Sequence, residues 1–120
     1  MKVIIAGPRD LSARPHAISR AFRNSRFDTT DLEIISGGAT GIDTSAIEFA
    51  RDFRLPYRVV AADWDQYAES AGPIRNRQMA EVADALLVIK RKNEETRGTS
   101  SMMREARKRG LPIHVEEVGA

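Results

Sequence analysis

Short apolar runs, each ending in a glycine or proline turn and separated by longer amphipathic stretches, constrain this chain more than any other feature. Val3-Ile4-Ile5-Ala6 runs into Gly7-Pro8, and Leu32-Glu33-Ile34-Ile35-Ser36 runs into Gly37-Gly38. Tyr57 to Ala62, Ala85 to Ile89 and Leu111 to Val115 complete the set. A run without polar alternation suits a strand buried on both faces, as in a parallel sheet covered by helices.

The intervening stretches read as helices. Ala17, Ile18, Ala21 and Phe22 repeat at helical spacing within 15–24, and Ile42, Ala46, Phe49, Ala50 and Phe53 form a second stripe that Leu55-Pro56 closes. Gly72-Pro73 opens a third helix, with Met79, Val82 and Ala83 on its buried face, because proline is favoured in a first turn. Residues 90–97 read as a charged loop, and Gly98-Thr99-Ser100 precedes a fourth helix that ends near Lys108-Arg109-Gly110. Strands alternating with helices predict right-handed βαβ units. The expected fold is α/β: a single three-layer Rossmann-like domain over 1–120, with a parallel five-stranded sheet and helices on both faces. In such sheets ligands bind beyond the carboxyl ends of the strands, where strand order reverses. That singles out the loops after the first, second and fourth strands.

Composition narrows the chemistry. A chain of 120 residues buries a modest core, so self-association as a dimer or higher homo-oligomer is expected. There is no cysteine, which removes disulfides, thiolate metal sites and cysteine nucleophiles, and two histidines argue against a histidine-rich metal site. The apolar run at the N-terminus is too short for a signal-peptide core or a membrane span, so the expected address is the cytoplasm, with no membrane partner. A formal charge of +2 falls short of the cationic excess of a dedicated duplex-DNA binder.

Four loops carry candidate chemistry. In Ser36-Gly37-Gly38-Ala39-Thr40-Gly41-Ile42-Asp43, glycines bring backbone N–H groups close to an anion and the helix start adds a favourable dipole. Thr40 is placed to cap the helix or donate to phosphate. Asp43 is placed to bind ribose hydroxyls or to complement the dipole; the alternative for the whole segment is a tight turn with an acidic cap. After the first strand, Gly7 allows close approach and Arg9 can fork onto phosphate, or else pair with Asp10. Arg75 and Asn76 stand near a helix start that would ordinarily attract acidic residues, which favours an anion-recognition role. Gly98 and Thr99, beside Arg97, repeat the glycine-plus-hydroxyl device, with helix capping by Thr99 or Ser100 as the alternative. Trp64 and Tyr67 offer base stacking or cover for a core or interface. Asp63 and Asp65 offer water-mediated Mg²⁺ binding or serve as solvated turn residues.

Taken together, the Gly7-Pro8-Arg9-Asp10 turn, the Ser36 to Asp43 loop, Ala62-Asp63-Trp64, the segment Ala71-Gly72-Pro73-Ile74-Arg75-Asn76-Arg77-Gln78-Met79 and Arg97-Gly98-Thr99 resemble the SLOG superfamily, most closely its small YspA/YpsA-related branch. The resemblance spans nearly the whole chain. It implies a domain that binds a nucleotide or nucleotide-derived, ADP-ribose-like ligand as a sensor or sequestering protein. Gly7 and Arg9 would form one wall; Gly37, Gly38, Thr40 and Gly41 would cradle phosphate; Asp43 would hold ribose; Arg75, Asn76, Gly98 and Thr99 would close the site. Two relatives supply alternatives. Lonely Guy phosphoribohydrolases carry Gly-Gly-x-Gly-Thr-x-x-Glu, but here Met102 stands three residues beyond Thr99, which leaves Glu105 or Asp43 as the substitute carboxylate. The Rossmann-like domain of DprA has a turn similar to Ser36 to Asp43, and it implies single-stranded DNA binding.

Overall fold

The structure, a computed structural model, describes residues 1–119. In chain order the elements are β1 (Lys2–Ala6), α1 (Pro15–Ser25), β2 (Glu33–Ser36), α2 (Ile42–Asp52), β3 (Tyr57–Val59) and a short α3 (Trp64–Tyr67). A 3₁₀ turn (Ala68–Ser70) leads directly into α4 (Ala71–Val82), followed by β4 (Ala85–Arg91), α5 (Arg97–Lys108) and β5 (Ile113–Val118). The strands form one parallel sheet in the order β3-β2-β1-β4-β5. This is the α/β, Rossmann-like arrangement that the alternating runs predict.

Side-chain alternation sorts the two faces. Val3 and Ile5 of β1, Ile34 of β2 and Ala85, Leu87 and Ile89 of β4 pack against α1 and α2. Ile4, Ala6, Ile35, Leu86 and Val88 point the other way, against Met79 and Ala80 of α4 and Met102 and Ala106 of α5. The three central strands are therefore buried on both sides, which is why their sequences lack polar alternation. The edge strands differ: every residue of β3 is exposed, and β5 is only partly buried.

Element boundaries shift where partners begin or end. β3 stops at Val59 because its neighbour β2 ends at Ser36, with which Val59 is in register. Conversely, β4 continues through Lys90 and Arg91, which the sequence places in a loop, because β5 pairs alongside as far as Val118. Lys90 there is 3.7 Å from Glu117, so charge pairing replaces apolar burial as the sheet leaves the core. Helix α4 buries Ala71, Arg75, Asn76, Met79 and Ala80, while Val82 is exposed. The buried face starts one turn earlier than its apolar residues alone indicate. Among the described residues no helix is long and apolar enough to cross a membrane.

Connections from β1 and β4 leave in opposite directions along the sheet, so their carboxyl ends diverge and open a crevice between them. Leu87 sits at the centre of the sheet, fully buried and in register with Ile5. Leu87→Ala is expected to lower unfolding free energy by about 2–5 kcal/mol, whereas Val59→Ala on the exposed edge changes it by less than about 0.5 kcal/mol, both read by urea denaturation.

Candidate functional site

The crevice is an open cleft of about 1240 Å³. Its walls are the turn after β1, the segment from α3 into α4, and the first turns of α5. Of the residues singled out from sequence, Gly7, Arg9, Asp43, Arg75, Asn76, Gly98 and Thr99 line it. Ala39 reaches it from the glycine loop, but Gly37, Gly38, Thr40 and Gly41 are not among its lining residues, and Gly38 and Thr40 are exposed elsewhere on the loop.

Thr40 and Gly41 shape the site by letting two loops touch. Gly41 has φ 77°, and a methyl group there would fall on the Pro8 carbonyl. Around this contact Ile42 N donates to Pro8 O at 3.2 Å and Thr40 Oγ1 donates to Arg9 O at 3.2 Å. Within the loop, Gly38 N donates to buried Ser36 Oγ at 3.1 Å and Ala39 N to Asp43 Oδ2 at 3.2 Å. Three N–H groups of this loop and helix start (Gly38, Ala39 and Ile42) thus already have acceptors. Thr40 does not cap the helix: the residue before α2 is Gly41, with no side-chain cap.

Gly37 serves a different approach. A side chain there would strike the Arg75 guanidinium and lie 2.8 Å from Asp43 Oδ2. Arg75, reached from α4, is only 9% exposed. Its Nη1 donates to Gly37 O at 2.6 Å and its Nε to Asn76 Oδ1 at 3.0 Å. Asn76 passes the connection on, donating from Nδ2 to Ser101 Oγ at 3.2 Å and to Gly98 O at 3.4 Å. One hydrogen-bonded path therefore joins the end of β2, α4 and the first turn of α5. Among the described residues no carboxylate forms an ion pair with Arg75, and Nη2 has no protein acceptor. Burial lowers the Arg75 pKa from its ordinary value, against the pull of Asp43, and the charge of Arg9 adds to the lowering. Burial likewise raises the Asp43 carboxyl, opposed by the Ala39 N–H and by Arg75 and Arg9.

At α5 the cap is Thr96, whose Oγ1 accepts from Thr99 N at 3.2 Å and donates to Thr99 Oγ1 at 2.9 Å. Helix α5 thus starts at Arg97, four residues before the sequence reading, and Gly98 and Thr99 lie inside its first turn. The N–H groups of Arg97 and Gly98 have no intrahelical acceptor, as first-turn groups do not. Arg9 does not pair with Asp10: Arg91 takes that carboxylate at 3.0 Å and holds its pKa below the ordinary value. Asp63 accepts from Gln66 N at 3.1 Å as the cap of α3, and the described residues contain no cluster of three or more metal-ligating side chains. Glu105, the substitute carboxylate named from sequence, lines the cleft as well, and sequence reasoning missed its neighbours Ser101, Arg104 and Lys108. Their spacing from Arg97, by three or four residues at each step, was the available signal for one polar helix face.

A family model described as the YspA, cpYpsA-related SLOG family matches residues 1–67. The Gene 61 protein of Mycobacterium phage D29 is 33% identical over 88 residues, covering 68% of this chain and 69% of that protein. No solved structure matches the chain. The matched family segment contains Arg9, the glycine loop, Asp43 and Trp64, and it ends before Arg75, Asn76, Gly98 and Thr99.

The raised Asp43 pKa fixes the sign of a stability test. The folded state holds the proton more tightly than the unfolded chain, so stability contributed by protonated Asp43 is present below the ordinary value of 3.8 and lost as pH rises through the folded value. Asp43→Asn keeps an acceptor for the Ala39 N–H without the charge. Urea unfolding at a series of pH values is expected to give coincident stabilities at the acid end and a growing advantage for Asp43→Asn as pH rises toward neutrality.

Proposed function

The chain belongs to the YspA/cpYpsA-related SLOG family, and we propose that its cleft binds a nucleotide or nucleotide-derived ligand of the ADP-ribose type, as a sensor or sequestering protein. The observation that carries this reading is Arg75. A buried guanidinium without an ion-pair partner is costly, and an anion that reaches the free edge of its planar fork offsets that cost with charge-assisted hydrogen bonds. The start of α5 supports the same position for phosphate, because its first-turn N–H groups and dipole favour negative charge. The phosphate seat is thus assigned to Arg75 and to Gly98 and Thr99, with Gly37, Gly38, Thr40 and Gly41 holding the wall behind it. Asp43 keeps one carboxylate oxygen without a protein donor, suited to a ribose hydroxyl. Five cationic and five acidic side chains line the cleft, so no net positive field favours a long polyanionic strand over a compact ligand.

A second reading, hydrolysis of an N-glycosidic bond, draws on one observation. Met102 is 1% exposed in the core and offers no chemistry, but Glu105, one turn further along α5, lines the cleft. An acid–base role for it would use the same bound ligand.

Incubation with AMP and ADP-ribose, following melting temperature and product release together, tests both. Saturable stabilisation without turnover is the expected result, and release of ribose 5-phosphate that Glu105→Gln abolishes would establish the second reading instead. Arg75→Lys, which keeps the charge and loses the fork, is expected to weaken binding by about ten- to a hundred-fold, the equivalent of roughly 1.5–3 kcal/mol. Gly98→Glu places a carboxylate in open space at the start of α5, where a side chain meets nothing within 4 Å. It is expected to fold normally and to abolish the stabilisation; unchanged binding in both variants would refute the phosphate seat.

A further inference from the structure

We infer that Trp64 is the platform on which a planar aromatic ring of the ligand stacks, so that the cleft selects a base-bearing nucleotide over a bare sugar phosphate. The inference rests on the proposed phosphate seat and adds the other end of the ligand. Trp64 is 49% exposed although it is the largest apolar side chain in the protein, and it lines the cleft. No residue of α3 or of the following 3₁₀ turn is buried, so these segments do not cover the core.

The indole is nevertheless held in place. Asp63 caps α3, accepting from Gln66 N through its side chain and from Tyr67 N through its carbonyl at 3.0 Å. One edge of the ring lies against the start of α4, where a methyl group on Gly72 would sit 3.6 Å from Trp64 Cη2. Arg9 lies over the ring, its guanidinium carbon 5.8 Å from the centroid. Arg9 thus holds the indole by cation–π attraction on one side, and the half of the side chain that stays exposed in the cleft is the surface available for stacking. Arg9 is also the residue that the turn after β1 projects into the cleft, so a base seated on Trp64 brings it within reach of the same ligand. Ligand discrimination at such a face depends on the presence of a ring rather than on its hydrogen-bonding edge.

Trp64 is the sole tryptophan, so intrinsic fluorescence reports this one ring. Titration with AMP is expected to quench it saturably, and ribose 5-phosphate is expected to bind about ten-fold more weakly, with little change in emission. By calorimetry, Trp64→Ala is expected to lose about ten-fold in AMP affinity and nothing for ribose 5-phosphate, while Trp64→Phe stays within about three-fold of the parent. Equal AMP affinity in Trp64→Ala and the parent, with Gly98→Glu still abolishing binding, would overturn the platform and leave the phosphate seat standing. A Trp64→Ala protein that changes oligomeric state on gel filtration at unchanged AMP affinity would also overturn it, assigning the indole to an interface between copies. Absence of any binding by AMP and ribose 5-phosphate would remove the phosphate seat and this inference together.

Discussion

A guanidinium buried between the end of β2 and the start of α5 is the constraint on which the carboxyl-terminal rim of this sheet depends. Arg75 reaches Gly37 O directly and the first turn of α5 through Asn76. A charge in that position loses hydration, and the hydrogen bonds it makes recover only part of it. Asp43 shares the space and suffers the opposite shift for the same reason, each group easing the burial of the other without forming an ion pair. The rim is therefore electrostatically incomplete by construction. Groups shifted in this way cluster at functional sites.

The glycine loop gains a mechanical meaning from that arrangement. In the sequence it looks like a phosphate cradle, since glycines before a helix are the usual means of bringing N–H groups to an anion. In the fold, Gly37 makes room for Arg75, and Gly41 lets the turn after β1 lie against the loop. The N–H groups of Gly38, Ala39 and Ile42 are spent on holding these loops together. The same composition thus serves close packing of backbone on side chain, and the glycines admit Arg75 and the turn after β1 to the rim of the cleft.

How much of this was legible beforehand follows from which signals are local. Buried central strands announce themselves because both faces must be apolar, so β1, β2 and the core of β4 could be read residue by residue. The ends of β3 and β4 could not, because they depend on where a neighbouring strand stops, and that is set by pairing across the sheet. In the sequence Arg75 and Asn76 are a misplaced charge and amide near a helix start, and in the fold that oddity marks burial: the helix begins at Ala71, which puts both in its second turn facing inward. Capping of α5 by Thr96 escaped notice because Thr99 and Ser100 offered equally good local caps. The long polar face of α5 escaped for another reason: charged residues at helical spacing usually mark solvent, and only the tertiary fold turns that face toward a crevice.

The cleft also divides by origin. The stretch matched to the family contributes a scaffold wall, with Arg9, Asp43 and Trp64, whereas the buried cation and the start of α5 come from beyond residue 67. Because β1 and β4 are adjacent strands, the two parts meet at the point where the sheet changes direction. A ligand spanning them would touch Arg75, which also ties α4 to α5, and occupancy would therefore stiffen the rim as well as fill it. Arg75 cannot be removed without loosening that tie, so binding and local stability are inseparable there. At Gly98 and Trp64, which carry no comparable structural load, they can be separated.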